Sequence, residues 1–260
     1  MTAHDTRRLD TADLEAQVKA MYEQVALTPH ADFHFETGRA LAEHLGYPSA
    51  DLDTIPADAI ASFAGVGYFQ DLAAIQPGER VLDLGSGSGT DSFLAALATG
   101  PSGRITGIDM TRAQLHKATR LATQASLSSC EFREGYIEHP PVADASIDCV
   151  ISNGVINLSA DKPAVFRAAA AALRPGGRLA IADIVTATQL PDGVTCDASL
   201  WAACIGGAAQ RDDYLDTIRA AGFDVETVRD NDYRFISDRA LGATTTYGVT
   251  SISLLARRAR

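Results

Sequence analysis

The spacing of apolar residues along the chain changes near residue 80. Before that point, apolar side chains recur every three or four positions over 11–26, which predicts a helix with a capped start. A second, short helix is predicted over 35–47, ending near Gly46, and the first 75 residues lack a clear strand pattern. We therefore expect residues 1–75 to form an N-terminal helical cap.

After residue 80, short apolar runs alternate with helical patterns. The runs predict seven strands, over 80–85, 104–110, 130–135, 147–154, 178–185, 224–230 and 249–258. The helices between them are predicted over 89–100, 111–125, 161–177 and 211–223. Strands that are apolar along nearly their whole length are typical of a parallel sheet buried on both faces. The prediction is an α/β fold, a Rossmann-like doubly wound seven-stranded sheet over 76–260, with the last two strands at an antiparallel edge.

Charge and composition exclude some functions and leave others open. The chain has 260 residues and a net charge of −11, which argues against nucleic acid as a partner. The longest small and apolar run, near 198–209, is shorter than the about 20 residues that span a bilayer. The N-terminus lacks the apolar segment of a signal peptide, and the four cysteines form no CxxC pair. These features predict a cytoplasmic monomer or homodimer, with no membrane or nucleic-acid partner, that acts on a small molecule.

A glycine-rich stretch, "DLGSGSGTD" (83–91), follows the first predicted strand directly. Glycines at a strand-to-helix turn let the backbone approach a ligand closely. A dinucleotide site requires G-x-G-x-x-G, and here the last position of that pattern is Thr90. The pattern therefore favours a ligand without a pyrophosphate, held around an amino-acid portion and a nucleoside, and makes a dehydrogenase a poor alternative.

Two acidic residues extend this interpretation. Asp83 ends the first strand, where its carboxylate would face the ligand and accept a positively charged amine. Asp109 ends the next strand, about 20 residues past the loop, where it would accept both hydroxyls of a ribose. Either carboxylate alone could instead cap a helix. Both acids together with three glycines favour a nucleoside ligand.

The core is similar to class I S-adenosylmethionine-dependent methyltransferases. The motifs that carry the resemblance are "VLDLGSGSG" (81–89), "GIDM" (107–110), "EGYIEHPPV" (134–142), "IDCVISNGVINL" (147–158) and "LRPGGRLAIADI" (173–184). The resemblance implies S-adenosylmethionine as cofactor, S-adenosylhomocysteine as product, and no need for a metal. The resemblance also implies a role for each motif residue. Gly85, Ser86, Gly87 and Gly89 would contact the methionine part, and Asp109 would hold the ribose. Met110 would pack on the adenine with Ile137 and Glu138 at its edge, and Ser152, Asn153 and Gly154 would lie near the reacting methyl.

Over about 60–225 the chain resembles arsenite methyltransferases, through "VINLSADK" (155–162), "LWAACIGGA" (200–208) and "FAGVG" (63–67). That family binds trivalent arsenic through cysteine thiolates, which suit a soft ion. Gly154 and Val66 stand where the resemblance implies cysteines, and only Cys204 matches one. We therefore predict a pocket rebuilt for a small organic acceptor, bounded by Val66, Cys204 and a lid residue, Trp201.

Several alternatives remain open at this stage. Arsenite could still be methylated if exogenous thiols complete its coordination, and a non-catalytic module would bind the cofactor or its product without turnover. If the acceptor needs a base, the candidates are His34, which ranks first, and His30, Tyr22 and His139, and Asn153 could orient the acceptor by a hydrogen bond. The four-residue spacing of His30 and His34 suits a metal pair, but no third ligand is evident, so no metal is predicted.

Overall fold

A mixed sheet forms the centre of the protein in a computed structural model, which describes residues 11–195, 201, 205–236 and 238–260. Its strands are β1 (Arg80–Leu84), β2 (Arg104–Asp109), β3 (Cys130–Glu134), β4 (Ile147–Asn153), β5 (Leu173–Thr186), β6 (Ala209–Gln210), β7 (Phe223–Asn231) and β8 (Thr250–Arg258). Seven of them follow the order β3-β2-β1-β4-β5-β8-β7, and the two-residue β6 pairs with β5. The predicted doubly wound α/β fold is confirmed.

Strand direction defines where a ligand can bind. All pairs among β1 to β6 are parallel, whereas β8 is antiparallel to both β5 and β7. The winding of the sheet reverses between β1 and β4, whose carboxyl ends lie side by side with Leu84 opposite Ser152. Ligands of such sheets bind in the crevice outside the carboxyl ends of the strands at this switch point.

Helices cover both faces of the sheet. They are α1 (Thr11–Leu27), α2 (Arg39–His44), α3 (Ser49–Leu52), α4 (Ala57–Ala61), α5 (Gln70–Ala73), α6 (Thr90–Thr99), α7 (Arg112–Gln124), α8 (Lys162–Ala172), α9 (Asp192–Thr195), α10 (Arg211–Ala220) and α11 (Asp238–Tyr247). A 3₁₀ turn over Ile156–Leu158 precedes α8. None of the helices in the described part of the chain has the length and apolar character needed to cross a membrane.

Two of the helix predictions were too long. The helix predicted over 161–177 ends at Ala172, because Leu173 is already extended and pairs with Ile147 of β4. Pro175 cannot donate a helical hydrogen bond, so the chain continues as β5 rather than as a helix. The helix predicted over 35–47 spans only Arg39–His44.

The sheet buries apolar side chains on both faces. Alternate residues of each strand point to opposite sides, so Leu82 and Val150 belong to one core cluster while Val81 and Ile151 belong to the other. Helices α2 to α4 form a third cluster that includes Phe93 of α6. The N-terminal helices thus pack directly on the helices of the sheet domain, and a domain boundary at residue 75 stays a prediction.

Candidate active site

A cavity of about 390 Å³ lies at the carboxyl ends of β1, β2 and β4. The glycine-rich turn after β1 and the start of α7 form its floor. Helix α1 and the segment 62–65 close one side, and the stretches 135–139 and 153–160 form the opposite wall. The cavity therefore occupies the crevice that the sheet topology predicts for a ligand.

The glycine-rich turn requires its glycines for conformational and steric reasons. Gly85, Gly87 and Gly89 have φ angles of +75°, +52° and +96°, in the left-handed region that residues with a Cβ rarely adopt. A Cβ on Gly85 would lie 2.4 Å from a methyl carbon of Val155. The turn is fixed to β2, since the amides of Gly85 and Ser86 both donate to the carbonyl oxygen of Ile108.

Asp109 joins the end of β2 to the glycine turn. Its Oδ2 accepts a hydrogen bond from the Gly87 amide at 3.0 Å, and its Oδ1 accepts one from the Thr111 amide at 2.8 Å. The residue thus has the local turn-capping role that the sequence left open, yet each oxygen retains acceptor capacity and the side chain lines the cavity. Burial raises its pKa, which the two backbone hydrogen bonds partly oppose.

Asp83 and Asp91 form a pair of buried acidic residues at the base of the cavity. The Ser92 hydroxyl donates to Oδ2 of Asp83 at 2.6 Å. Burial, and next the neighbouring charge of Asp91, raise the pKa of Asp83 to about 8. Burial likewise raises the pKa of Asp91, which accepts hydrogen bonds from Tyr47 and Gln70. The site therefore concentrates buried carboxylates around the turn.

Asn153 at the tip of β4 organises the segment that faces it. Its Oδ1 accepts from the Val66 amide at 2.7 Å, while Nδ2 lies 3.0 Å from the Gly67 carbonyl oxygen and 3.1 Å from Oδ2 of Asp91. Nδ2 also lies 3.0 Å from the hydroxyl of Tyr47. An amide has two hydrogens to donate, so these acceptors already occupy it. The suggestion that Asn153 orients an acceptor stays a prediction.

The structure brings most of the predicted site residues to one cavity. Those that line it are Tyr22, Asp83, Gly85, Ser86, Gly87, Asp109, Met110, Ile137, Glu138, Asn153 and Gly154. Two others support the wall from behind: Gly89 directly precedes α6, and Ser152 donates its hydroxyl to the Leu84 carbonyl oxygen. The residues predicted to bind the cofactor thus lie close together in space, although they come from several sequence motifs.

The residues predicted for the acceptor side do not all line the cavity. His34 is outside the cavity wall, packed edge-on against Phe35 with 4.8 Å between ring centroids, so the first candidate base is not at the site. Val66 is buried behind Gly154, and a Cβ added to Gly154 would lie 3.1 Å from Cγ1 of Val66. Trp201 packs against Leu14 of α1, one layer behind the cavity. Cys204 lies outside the described residues.

Sequence reasoning missed several residues of the site. Asp91, Tyr47 and Gln114 are almost fully buried polar residues, and no motif distinguishes them from surface residues. Gln114 accepts from the Ser88 hydroxyl at 2.5 Å and donates to the Tyr22 carbonyl oxygen at 2.9 Å. It therefore ties the glycine turn, α7 and α1 together. The only available signal for Asp91 was its position directly after the glycine motif.

The site fits a nucleoside ligand with a positively charged group. The Ser86 hydroxyl is buried and has no hydrogen-bond partner among the described residues, which leaves it for a ligand. Asp109 can accept hydrogen bonds from two hydroxyls. A positively charged ligand group would be attracted to the buried acidic residues Asp83 and Asp91. No group of three potential metal-binding side chains occurs in the parts of the chain that the structure describes.

A sheet of this order, with a glycine turn and an acidic residue at its switch point, defines the class I S-adenosylmethionine-dependent methyltransferases. The family described as "Methyltransferase domain" matches residues 75–222. The chain belongs to this methyltransferase family, it is similar to arsenite methyltransferases, and S-adenosylmethionine is its cofactor.

Curated relatives include several arsenite methyltransferases. The protein from Halobacterium salinarum is 42% identical over 205 residues, which is 78% of this chain and 52% of the relative. The protein from Homo sapiens is 38% identical over 137 residues, which is 49% of this chain and 36% of the relative. The chain thus spans about half the length, or less, of these relatives.

Solved structures show the same fold. CrArsM, an arsenic(III) S-adenosylmethionine methyltransferase from Chlamydomonas reinhardtii, has a TM-score of 0.63 and 28% identity, covering 86% of this chain and 75% of its own. Geranyl diphosphate C-methyltransferase from Streptomyces coelicolor A3(2) has a TM-score of 0.69 at 16% identity, covering 94% and 98%. The second likeness concerns the fold alone.

The raised pKa of Asp83 predicts a pH-dependent stability of the cofactor-free protein. Between its ordinary value of 3.8 and about 8, the folded protein keeps a proton that the unfolded chain has released. The free energy of unfolding should therefore fall as pH rises through this window, by up to about 1.4 kcal/mol per pH unit from this group. In the Asp83→Asn variant this contribution disappears.

Urea titrations at intervals between pH 5 and pH 9 measure this effect as the difference between the two proteins. The stability of Asp83→Asn relative to the wild type should increase up to about pH 8 and then level off. A difference that stays constant over the whole range would contradict the shifted pKa.

Proposed function

We propose that this methyltransferase transfers the methyl group to a small organic molecule held in an apolar part of the cavity. The observation that carries the proposal is the apolar wall of the cavity, which includes Leu14, Val18, Val155 and Leu158. The resemblance to arsenite methyltransferases implies a thiol at residue 154, and its place is taken by a glycine backed by the Val66 side chain. Such a wall suits an organic acceptor better than a thiophilic ion.

The cysteines that the structure describes do not compensate for this loss. Cys130 begins β3 and Cys149 lies inside β4, and neither lines the cavity. Burial raises the pKa of both thiols to about 12, so they remain protonated at neutral pH. Because the thiolate is the form that binds a soft ion, neither is suited to ligate arsenic.

The residues of the site divide the tasks of the reaction among them. Asp109 would hold the ribose, Met110 and Ile137 would contact the adenine, and the glycine turn would hold the methionine part through its backbone. When bound, S-adenosylmethionine supplies an electrophilic methyl group on a sulfonium centre. The contribution of the protein is then to orient the acceptor and to exclude water.

Helix α1 is the element that excludes water. It places Leu14, Val18 and Tyr22 over the cavity, and Gln114 holds the Tyr22 carbonyl oxygen. At the open side of the cavity, the Lys19 ammonium and the Tyr136 hydroxyl each donate a hydrogen bond to Oε1 of Glu15 at 2.6 Å. These contacts tie α1 to the 135–139 stretch across the mouth of the cavity.

A general base is available at the wall if the acceptor requires one. Tyr22 and His139 both line the cavity, whereas His34 does not. An acceptor that is already nucleophilic, such as a thiol, needs alignment only. We propose Tyr22 and His139 as the candidate bases for a hydroxyl or amine acceptor.

Arsenite is the second candidate acceptor, because relatives up to 42% identical to this chain are arsenite methyltransferases. In this alternative, thiols from solution would complete the coordination that Gly154 and Val66 lack. A tracer experiment separates the candidates. Methyl-labelled S-adenosylmethionine is incubated with arsenite plus glutathione in one reaction and with a small-molecule extract of the host cell in another.

The products are then followed by elemental and organic mass spectrometry. Label on an organic product supports the proposal, and the mass of that product identifies the acceptor. Label on arsenic instead would show that thiols from solution suffice. Binding of S-adenosylmethionine without transfer to either would indicate a module that binds the cofactor and does not turn over.

Replacing Cys204 distinguishes the candidates within the protein. With an organic acceptor, Cys204→Ser should leave turnover within about threefold of the wild type, because an exchange of sulfur for oxygen changes volume little. With arsenic, the loss of a thiolate ligand should abolish transfer. Initial rates on the acceptor found above measure this, and Cys149→Ser, away from the cavity, controls for general loss of thiols.

A further inference from the structure

Asp91 occupies an unusual position for a carboxylate in the first turn of α6. Its side chain is only 7% exposed and lines the cavity beside the glycine turn. Gly89, not Asp91, is the residue that precedes α6, and the contacts of the carboxylate are to side chains of other elements. Asp91 is therefore held toward the ligand space and does not serve as a local helix cap.

Three neutral donors fix this carboxylate. The Tyr47 hydroxyl donates to Oδ1 at 2.6 Å, Gln70 donates to Oδ1 at 3.0 Å, and Asn153 donates to Oδ2 at 3.1 Å. A carboxylate has about four acceptor positions, so Oδ2 keeps one. The donors orient the charge of Asp91 without neutralising it.

Asp83 adds a second buried carboxyl group at the same place. Its Oδ2 accepts from Ser92, while Oδ1 has no hydrogen-bond donor within the described ranges. The charge of Asp91 favours the protonated form of Asp83, and neither group takes part in an ion pair with any described side chain. The unpartnered hydroxyl of Ser86, buried on the same turn, also lines this part of the cavity. A positively charged ligand group would be attracted to Asp91, and a hydrogen-bonding group of the same ligand would satisfy Ser86.

We infer that Asp91, held by Tyr47, Gln70 and Asn153, is a specificity residue that makes the cavity prefer the sulfonium cofactor to its uncharged thioether product. The inference rests on the binding of S-adenosylmethionine in this cavity. Cofactor and product share the amino-acid and adenosine portions and differ by one methyl group and one positive charge. A fixed carboxylate therefore attracts the cofactor more strongly, and product release becomes easier once the charge has been transferred away.

Binding measurements on Asp91→Asn test this without any acceptor. Dissociation constants are measured for S-adenosylmethionine, for S-adenosylhomocysteine and for sinefungin, an unreactive analogue with an amine near the position of the sulfonium. Titration calorimetry provides the constants. The fluorescence of Trp201, the single tryptophan of the chain, provides a second readout because the ring packs on Leu14 and Val18, which line the cavity.

The preference for S-adenosylmethionine over S-adenosylhomocysteine should fall about tenfold in Asp91→Asn, because a charge–charge attraction across a partly buried site is lost. Sinefungin should follow the cofactor. Asp91→Glu, which keeps the charge, should retain most of the preference. Tyr47→Phe removes a donor and leaves the carboxylate, so it should weaken all ligands by a similar factor.

The outcomes separate this inference from the function it rests on. If Asp91→Asn weakens cofactor and product equally, Asp91 has only a structural role and the inference is wrong. Asp58→Asn, an exposed carboxylate outside the cavity, should change neither constant. If the wild-type protein binds none of the three ligands, the assignment of the cavity itself fails.

Discussion

Asp109→Ala should weaken S-adenosylmethionine binding by about 100-fold to 10,000-fold. The carboxylate is placed at the end of β2 with acceptor capacity toward the cavity, where two ribose hydroxyls would each donate to it. A hydrogen bond to a charged group contributes about 1.5–3 kcal/mol, and each 1.4 kcal/mol corresponds to a factor of ten in affinity. Titration calorimetry with S-adenosylmethionine and with S-adenosylhomocysteine measures the loss, which should be similar for both because they share the ribose.

Part of any change could come from the turn itself, since Asp109 also accepts from the Gly87 and Thr111 amides. A shortened ligand resolves this. Methionine alone lacks the ribose, so a disturbed turn would weaken it together with the cofactor, whereas loss of the ribose contact would not. Unchanged affinity for S-adenosylmethionine in Asp109→Ala would overturn the assignment of the nucleoside to this part of the cavity.

Gly85→Ala should lower the free energy of unfolding by about 2–5 kcal/mol. A left-handed backbone costs a residue with a Cβ about 1–2 kcal/mol, and forcing an extra methyl group into a packed site costs about 1–3 kcal/mol more. The new methyl would overlap the side chain of Val155, whose branched Cβ leaves it little freedom to move. Urea unfolding of the cofactor-free protein measures the change.

Gly222→Ala is the matched control for this prediction. Gly222 follows α10 with φ of +91°, and nothing lies within 4 Å of where its Cβ would be. It therefore carries the backbone strain without the collision, and its loss of stability should be the smaller one. Adding Val155→Ala to Gly85→Ala should recover the steric part. Equal losses in the two glycine variants would show that Val155 yields to the methyl group.

The doubly wound sheet and its antiparallel edge followed from local patterns. Apolar runs such as 80–85 and 147–154 can only be buried between two layers of helices, which makes the sheet parallel and doubly wound. The glycines of the turn and Asp109 could be predicted because their task is done by backbone conformation and by position at a strand end. Both are properties of a short stretch of chain.

The acceptor side could not be predicted in the same way. His34 lies between two aromatic residues in the sequence and was the first candidate base, yet its ring packs on Phe35 outside the cavity wall. The position of a side chain in the irregular stretch between α1 and α2 depends on how the helices pack on the sheet. Local spacing contains no information on that packing.

By itself, the sequence determined the class of fold, and its motifs carried the resemblance that implies the cofactor, because both depend on hydrophobic period or on short motifs. Only the tertiary structure brought Tyr47, Asp91 and Asn153 together, from a loop after α2, the first turn of α6 and the tip of β4. Their separation in sequence is 44 residues for the first pair and 62 for the second. Burial converts these polar side chains into a fixed network, since a buried polar group must find a partner, and that partner is chosen by packing in three dimensions.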